Sequence, residues 1–597
     1  MKRMLTVVGL WALGSITSSA ASLQISLDQL INRLNPHVNL GMVVVDLTSG
    51  ETLYKRNANR LYIPASNMKL FSEAAALMAL GPDYRFKNQL STSASQLQQG
   101  VLQGNLYIHL SGDPSFSRDD LRTLLASLKQ WNINTIQGNV VIDSSLALVD
   151  PYPPGWLTAD LAYSYGAPIA PLMLDANRLT ITVNPAAQVG SPAIVEVDDG
   201  GGAIVLNNQA TTKANEKGCG VGFNLDKDNN LTVRGCVGIG QWAVQQRIAI
   251  KNPLMYAQGM IKSELAKENI KFNGQVQLGK SPAGSLILGT QYSRPLSQLM
   301  ADTLKPSDNL YADSLYLHAA AKVHGSPLNW NEAQPVIKKF LQQQTTIDLR
   351  KSIFTDGSGL SRYNMITPDQ TISLLQFLYQ RFPLSYEYIA ALPISGRDGT
   401  LQKRFKTANQ QGFVRAKTGT MTGMNSLSGY LYTANGHTLA FAMFINRLPG
   451  KNAGPGRPLL DALCTYLLQQ SPTSSRLARV FAPHGRIKFQ LNQTEGEVQR
   501  GHQARWRRLE SGVRAALRGQ PVNVVYRGNE LIITDNQSDA NRVWSALQSI
   551  GKKYPFAVAL SSKSLSVIPR GKPMVLWVQT PELANQSART WVIREAI

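Results

Sequence analysis

Apolar positions along the chain fall into two contrasting patterns. Between Met68 and Leu80 nearly every position is apolar, and Gly81-Pro82 then ends the run. Hydrophobicity on all sides predicts a helix inside a large core rather than on a surface. Yet it opens with Ser66 and, one turn on, Lys69, a charge that is costly to bury. Elsewhere the pattern alternates. "LGMVVVDLTSGETLYK", from Leu40, reads as two strands around Thr48-Ser49-Gly50. "QGFVRAKTGTMTGMNSLSGYLYTANGHTLAFAMFIN", from Gln411, reads as three more, the last two joined by a tight turn at Asn435-Gly436. A helix follows from Pro458 to Gln469, and a helix-rich stretch spans Arg294 to Phe382. Together these predict an α/β (α+β) domain, an antiparallel sheet of five or so strands drawn from both ends of the domain with helices on its faces.

Two regions read differently. From Phe86 to Ser293, short alternating runs such as "GNLYIHLSG", "GNVVIDSSL" and "RLTITVNP" are spaced by Gly, Pro and Asp, as in β-rich inserted modules. From Ser474 onward a helix "ARWRRLESGVRAAL", strands "VNVVYRGNELIITD", a helix "SDANRVWSALQSIGKKY" and further strands predict a separate small α+β domain. The expected division is a leader at 1–21, a main domain at 22–90 and 289–473, one insert at 91–185 and 245–288, a second at 186–244, and the block 474–597. A chain of 597 residues is too long for one core, which agrees with several domains.

The N-terminus changes the picture. "MKRMLTVVGLWALGSITSSAAS" has a basic start, an apolar run and small residues, the build of a secretory signal peptide cut near Ala20 or Ala21. The expected location is therefore periplasmic. Cys219 and Cys236 flank a polar turn, and a disulfide between them suits an exported protein. Zinc is the competing reading, but two thiols without a second pair make a poor site. Cys464 reads as a buried free thiol. The net charge of +22 suggests an acidic polymer outside the membrane or anionic headgroups, and no nucleic acid. From Arg476 onward there are 19 Lys/Arg against 8 Asp/Glu. On the helix there, Trp506, Leu509, Val513 and Leu517 share one face, with Arg505, Arg508 and Arg518 mostly elsewhere. That face packs on its own sheet, or it attaches the block to sacculus or membrane as a peripheral contact.

Ser66 and Lys69, three apart at a helix start, project from one face. A serine hydroxyl needs an adjacent base, and a lysine serves only if burial or nearby cations lower its pKa. Alone the pattern specifies little, since Ser549 and Lys552 repeat it and Ser66 could simply cap a helix. Ser307-Asp308-Asn309 and Lys417-Thr418-Gly419, in this order and each in a suitable element, change the balance.

With these three motifs the chain resembles the penicillin-recognising serine enzymes, the penicillin-binding proteins and class A β-lactamases. The long insertion between Lys69 and Ser307 narrows this to the class C low-molecular-mass penicillin-binding proteins, the D-alanyl-D-alanine carboxypeptidase/endopeptidase family. "SGDPSF", "GWLTADLAYSYGAP", "FTDGSGLSRYN" and "LPISGRDGTLQKRF" agree, and the resemblance covers roughly residues 23–471. It implies a penicillin-binding/β-lactamase-like transpeptidase domain with no cofactor and no metal, acting on peptidoglycan peptides and trapped by β-lactams. It implies Ser66 as nucleophile, Lys69 as its base, Ser307 as proton relay and Asn309 as a positioning group. Lys417 and Thr418 would hold the substrate carboxylate, Gly419 would permit close approach, and the N–H groups of Ser66 and Thr420 would form the oxyanion hole. Asp160 matches an acid that meets the free ammonium of diaminopimelate; it reads equally well as a turn carboxylate.

Two rivals remain on sequence: a β-lactamase of the same superfamily, and an inert cell-wall-binding scaffold. The first needs a dedicated deacylating glutamate. Glu332 and Glu387, between Asn309 and Lys417, sit in no such loop pattern. A metallo-hydrolase is weaker, because His37, His109, His318, His324, His437, His484 and His502 are scattered.

Overall fold

The structure is a computed structural model. It describes residues 17–93, 95, 97–98, 100–143, 150–199, 203–215, 217–433, 436–448 and 456–469, and in the C-terminal block residue 515 and the strands 522–527, 530–535, 557–561, 564–568, 576–579 and 589–594. The chain divides into two units, Met1–Ser474 and Ser475–Ile597.

A five-stranded antiparallel sheet organises the main domain, in the order Val414–Met421, Met424–Tyr432, Thr438–Asn446, Asn39–Asp46, Thr52–Arg56. The strand Asn39–Asp46 is buried almost throughout because its faces feed two cores. Side chains alternate along a strand: Val43 and Val45 join one cluster, while Leu40, Met42 and Val44 join the other. The first cluster contains the apolar helix, here Lys69–Leu80, whose residues through Leu77 are all buried. The second contains Leu27 and Ile31 of the helix Thr17–Leu34 and Leu459, Leu463 and Cys464 of the helix Gly456–Gln469. Cys464 is a buried free thiol. The apolar helix stops where expected, at Gly81 with φ 85°, a conformation that disfavours any side chain.

The inserted region carries helices that the reading from alternation missed. A five-stranded sheet runs Val276–Gly279, Val140–Asp143, Leu106–His109, Lys87–Thr92, Leu286–Tyr292, and its first two pairings are parallel. Parallel neighbours need crossover connections. The helices Arg118–Ala126 and Pro253–Lys267 supply them, the former started by a capping box between Ser117 and Asp120. The strands Lys87–Thr92 and Leu286–Tyr292 pair with each other, so the positions taken as boundaries, 90/91 and 288/289, fall inside this insert's sheet. The region also holds a small four-stranded sheet, Lys271–Phe272, Thr135–Ile136, Val101–Leu102, Leu97–Gln98, and two three-stranded sheets: Ile194–Val197, Arg178–Asn184, Val244–Ala249, and Val205–Lys213, Asn230–Gly238, Val221–Leu225. Cys219 and Cys236 are joined by a disulfide beside the last of these. Leu90, Ile181, Leu231 and Tyr256 belong to a single cluster, so both inserts share one core.

The second unit contains two antiparallel three-stranded sheets: Val522–Arg527, Glu530–Asp535, Arg589–Arg594, and Ala557–Ser561, Ser564–Ile568, Leu576–Gln579. Apart from residue 515, the helices expected at 504–517 and 538–554, the second Ser-x-x-Lys pair, Asn435, and the leader through residue 16 lie outside the described residues. No helix among the described residues is long and apolar enough to cross a membrane.

Candidate active site

Ser66 lies on a single 3-10 turn, Ala65–Met68, that runs directly into the apolar helix. It is not a side-chain cap: none is present at that start. Lys69 is completely buried, and its Nζ meets three oxygens: Ser66 Oγ at 3.1 Å, Asn309 Oδ1 at 2.7 Å and the Ser358 carbonyl at 2.7 Å. The last two can only accept. A neutral amine therefore spends both its N–H bonds on them and turns its lone pair to the Ser66 hydroxyl, whereas an ammonium donates to all three. One geometry thus accommodates the amine in both its neutral and its protonated form. Burial lowers the Lys69 pKa to about 8, against the opposing pull of Asp313, Asp356, Asp308 and Glu73.

The loop presenting the Ser358 carbonyl is itself held from below. Asp313 Oδ1 accepts the N–H groups of Gly357 and Ser358 at 2.7 and 2.9 Å. Asp356 accepts from Gly359 N, Asn364 Nδ2, Ser361 N and the Trp156 indole. At Gly359, with φ +81°, an added Cβ would lie 1.9 Å from the Ala65 carbonyl, so this loop and the turn carrying Ser66 touch backbone to backbone.

Ser307 and Asn309 flank the start of the helix Asn309–His324. Between them, Asp308 caps it by accepting Tyr311 N and is paired with Arg178. Burial would raise the Asp308 pKa, but the Arg178 guanidinium more than offsets this and holds it below the ordinary carboxylate value. Ser307 has φ 68°, a left-handed turn that needs support from its surroundings. Asn309 Nδ2 donates to the Tyr165 carbonyl at 2.9 Å and Arg178 Nε to the Ser164 carbonyl at 2.7 Å.

Lys417, Thr418, Gly419 and Thr420 form the edge strand Val414–Met421. Lys417 is fully buried and donates to the Thr418 carbonyl at 3.0 Å, with no acidic partner among the described residues. Burial, helped by the charge of Lys69, pushes its pKa well below the ordinary lysine value. An amine so placed gains most from the arrival of a carboxylate, which would favour its charged form. Thr418 Oγ1 donates to Thr400 Oγ1 at 2.8 Å. A Cβ on Gly419 would lie 2.1 Å from Ser426 Oγ and 2.8 Å from the Pro64 carbonyl, which is why glycine stands there.

Asn67 and Ser426, neither of which the sequence reading singles out, lock this strand to the turn carrying Ser66. Asn67 Nδ2 donates to the Lys417 carbonyl at 3.1 Å and to Ser426 Oγ at 2.8 Å, and Ser426 Oγ donates to the Pro64 carbonyl at 2.7 Å. Asn67 sits between two motif residues, and Ser426 is the cross-strand partner of Gly419. Ser66, Ser307, Thr418, Gly419 and Thr420 line one cleft of about 330 Å³, joined by Thr400, Arg404 and Arg457. Asp160 does not line it. Its carboxylate accepts the Tyr165 hydroxyl at 3.0 Å, so it reaches the site through Tyr165, whose carbonyl Asn309 binds. Among the described residues no group of side chains is arranged to hold a metal.

A serine and a lysine one helical turn apart, facing a Ser-x-Asn turn and a Lys-Thr-Gly edge strand on a five-stranded antiparallel sheet, define a serine hydrolase of the penicillin-binding/β-lactamase-like fold. Within that class, residues 23–463 match the D-Ala-D-Ala carboxypeptidase 3 (S13) family, and the chain belongs to it. It is therefore a peptidase. It is 29% identical over 449 residues to a D-alanyl-D-alanine carboxypeptidase, DacB, of Haemophilus influenzae, covering 74% of this chain and 92% of that one. It is 30% identical over 462 residues to a D-alanyl-D-alanine carboxypeptidase of Actinomadura sp., covering 74% and 84%. The crystal structure of penicillin-binding protein 4 from Haemophilus influenzae superimposes with a TM-score of 0.68 at 29% identity, covering 75% of this chain and all of that one.

Proposed function

We propose that this family member performs its carboxypeptidase reaction through an acyl-enzyme on Ser66, and that the same site opens D-alanyl-diaminopimelate cross-links of peptidoglycan. The observation that carries the reading is the three-oxygen environment of Lys69 Nζ. Ser66 Oγ attacks the carbonyl of the penultimate D-alanine as its proton passes to Lys69. The N–H groups of Ser66 and Thr420 take the developing oxyanion. As the C–N bond breaks, Ser307 relays a proton to the leaving amine, and Lys417 and Thr418 hold the carboxylate beside it. Water then attacks the ester, returning the proton and freeing Ser66. A terminal D-alanine and the D-centre of a cross-linked diaminopimelate both place a carboxylate next to the scissile nitrogen. One carboxylate clamp therefore serves both leaving groups.

The same serine should be acylated by penicillin and released slowly. In support, neither candidate deacylating glutamate lines the cleft: Glu332 closes a capping box with Asn329, and Glu387 lies on the helix Leu384–Ala391. This separates the reading from a β-lactamase. Export to the periplasm, with the basic C-terminal block against sacculus or anionic membrane, accords with the leader grammar and the net charge of +22. Mass spectrometry after exposure to a labelled penicillin should find a persistent adduct in the wild type and none in Ser66→Ala. Rapid nitrocefin turnover would instead make the protein a β-lactamase, and absence of any adduct would support the inert scaffold.

A further inference from the structure

The turn that carries Ser307 also borders a second cleft. Lys305, Pro306 and Asp308 line this space of about 330 Å³, together with Arg178, Arg247, Arg294 and Asp302. It shares Arg178, Arg247 and Tyr311 with a further cleft of about 470 Å³ that follows Arg118 and Thr180 along the insert, so the two make one trough.

Most of the trough's charges are already matched. Arg178 is spent on Asp308, Arg294 on Asp302, Lys305 on Asp398, and Arg118 on Asp175 and Asp198. Arg247 is different. It lies on the strand Val244–Ala249, is exposed, lines both parts of the trough, and has no acidic partner among the described residues. Its planar fork of donors suits a carboxylate taken bidentately.

We propose that Arg247 binds a carboxylate of the leaving stem peptide when the substrate is a cross-link. The argument rests on the acyl-enzyme reading above, in which Ser307 hands a proton to the leaving amine. In simple carboxypeptidase turnover the departing group is one D-alanine, whose only carboxylate is held by Lys417. In cross-link cleavage it is a whole second stem, with further free carboxylates, and it must continue past Ser307. The space bordering that turn is this trough, and its unmatched charge has the complementary sign. Arg247 therefore favours cross-linked over single-stranded substrate.

The test compares kcat/KM of the full-length enzyme on a purified cross-linked muropeptide dimer and on a linear pentapeptide ending in D-Ala-D-Ala. The ratio of dimer to pentapeptide should fall about five-fold in Arg247→Ala and about ten-fold in Arg247→Glu, through KM for the dimer, with Arg247→Lys between. In the wild type the ratio should fall as salt rises, and in Arg247→Glu it should not. A ratio unchanged in Arg247→Glu overturns the proposal, as does a wild type that trims the pentapeptide and leaves the dimer whole. A wild type that cleaves neither and forms no penicillin adduct overturns instead the acyl-enzyme reading beneath it. Thermal melting of each variant reports folding, and because Arg247 is exposed the lysine variant keeps the comparison informative.

Discussion

Replacing Asn309 by aspartate puts a negative charge where Lys69 Nζ now meets an amide oxygen at 2.7 Å. At that separation a unit charge pair is worth about 6 kcal/mol for an effective dielectric of about 20. The other carboxylates around the amine and local relaxation dilute this by about half, leaving about 3 kcal/mol, or about two pKa units. The sign follows from which form the carboxylate favours: it stabilises the ammonium, so the Lys69 pKa rises from about 8 to roughly 10. Only the neutral amine can take the Ser66 proton. At pH 7 the neutral fraction drops from about one in ten to about one in a thousand, a loss of about a hundred-fold in acylation rate. Raising the pH towards about 11 should restore that loss. The assay is the second-order rate of labelled-penicillin attachment to Ser66 between about pH 6 and 11, read by mass spectrometry. The wild type should rise about ten-fold per pH unit on the acid side and level off above its limb. Asn309→Ala removes an acceptor without adding charge, so its limb should move down rather than up. If Asn309→Asp keeps its limb near that of the wild type, Lys69 is not the base in contact with Asn309, and the mechanism fails.

Three other outcomes test the fold around this site. Glu73 is completely buried with no hydrogen-bond partner on either oxygen, and burial raises its pKa well above the ordinary value. Because its folded pKa is raised, the unfolded chain loses that proton first, and wild-type stability drains away as pH climbs above about 4. Glu73→Met should abolish that slope and raise stability at pH 7 by about 1–3 kcal/mol in denaturant melts; a lower midpoint would show that the carboxyl has a stabilising partner. Gly359→Ala, with its Cβ driven against the Ala65 carbonyl, should cost at least about 3 kcal/mol and slow acylation, and wild-type behaviour in both would deny the contact. The double change Cys219→Ser, Cys236→Ser opens a loop with a sequence separation of 17 and should cost about 3 kcal/mol in chemical melts, while penicillin acylation persists.

What could be read from sequence follows the range of the interactions. The Ser66–Lys69 pair is local: residue spacing puts the two side chains on one face, and they meet at 3.1 Å. Apolar runs marked the central helix and the five-stranded sheet, since both are buried by pattern. Asn67, Ser426, Ser358 and Asp313 were illegible for the opposite reason: their partners are 359, 362, 289 and 44 positions away. The helix Arg118–Ala126 could have been found, because Ser117 and Asp120 form its capping box and Leu121, Leu124 and Leu125 repeat at helical spacing. It was lost among the strand-like runs on either side. The parallel pairing of Leu106–His109 with Val140–Asp143 was lost with it.

The insert is wired into the catalytic machinery rather than appended to it. Its Tyr165 carbonyl takes the Asn309 amide, its Arg178 clamps Asp308 and the Ser164 carbonyl together, and its Trp156 donates to Asp356 at 2.8 Å. Each bond ends on a residue that shapes one side of the Lys69 environment: Asn309 directly, Asp308 through the helix start, Asp356 through the loop presenting Ser358. The main domain supplies the remaining contact, Ser66 Oγ, and Asn67 ties the turn that carries it to the edge strand. A lysine that must be both buried and switchable needs fixed oxygens on every side, because any slack would let it rotate from the serine or draw in water. Deleting the insert would therefore leave Ser66 and Lys69 on their turn and helix while loosening the supports of two of the three contacts of the Lys69 amine.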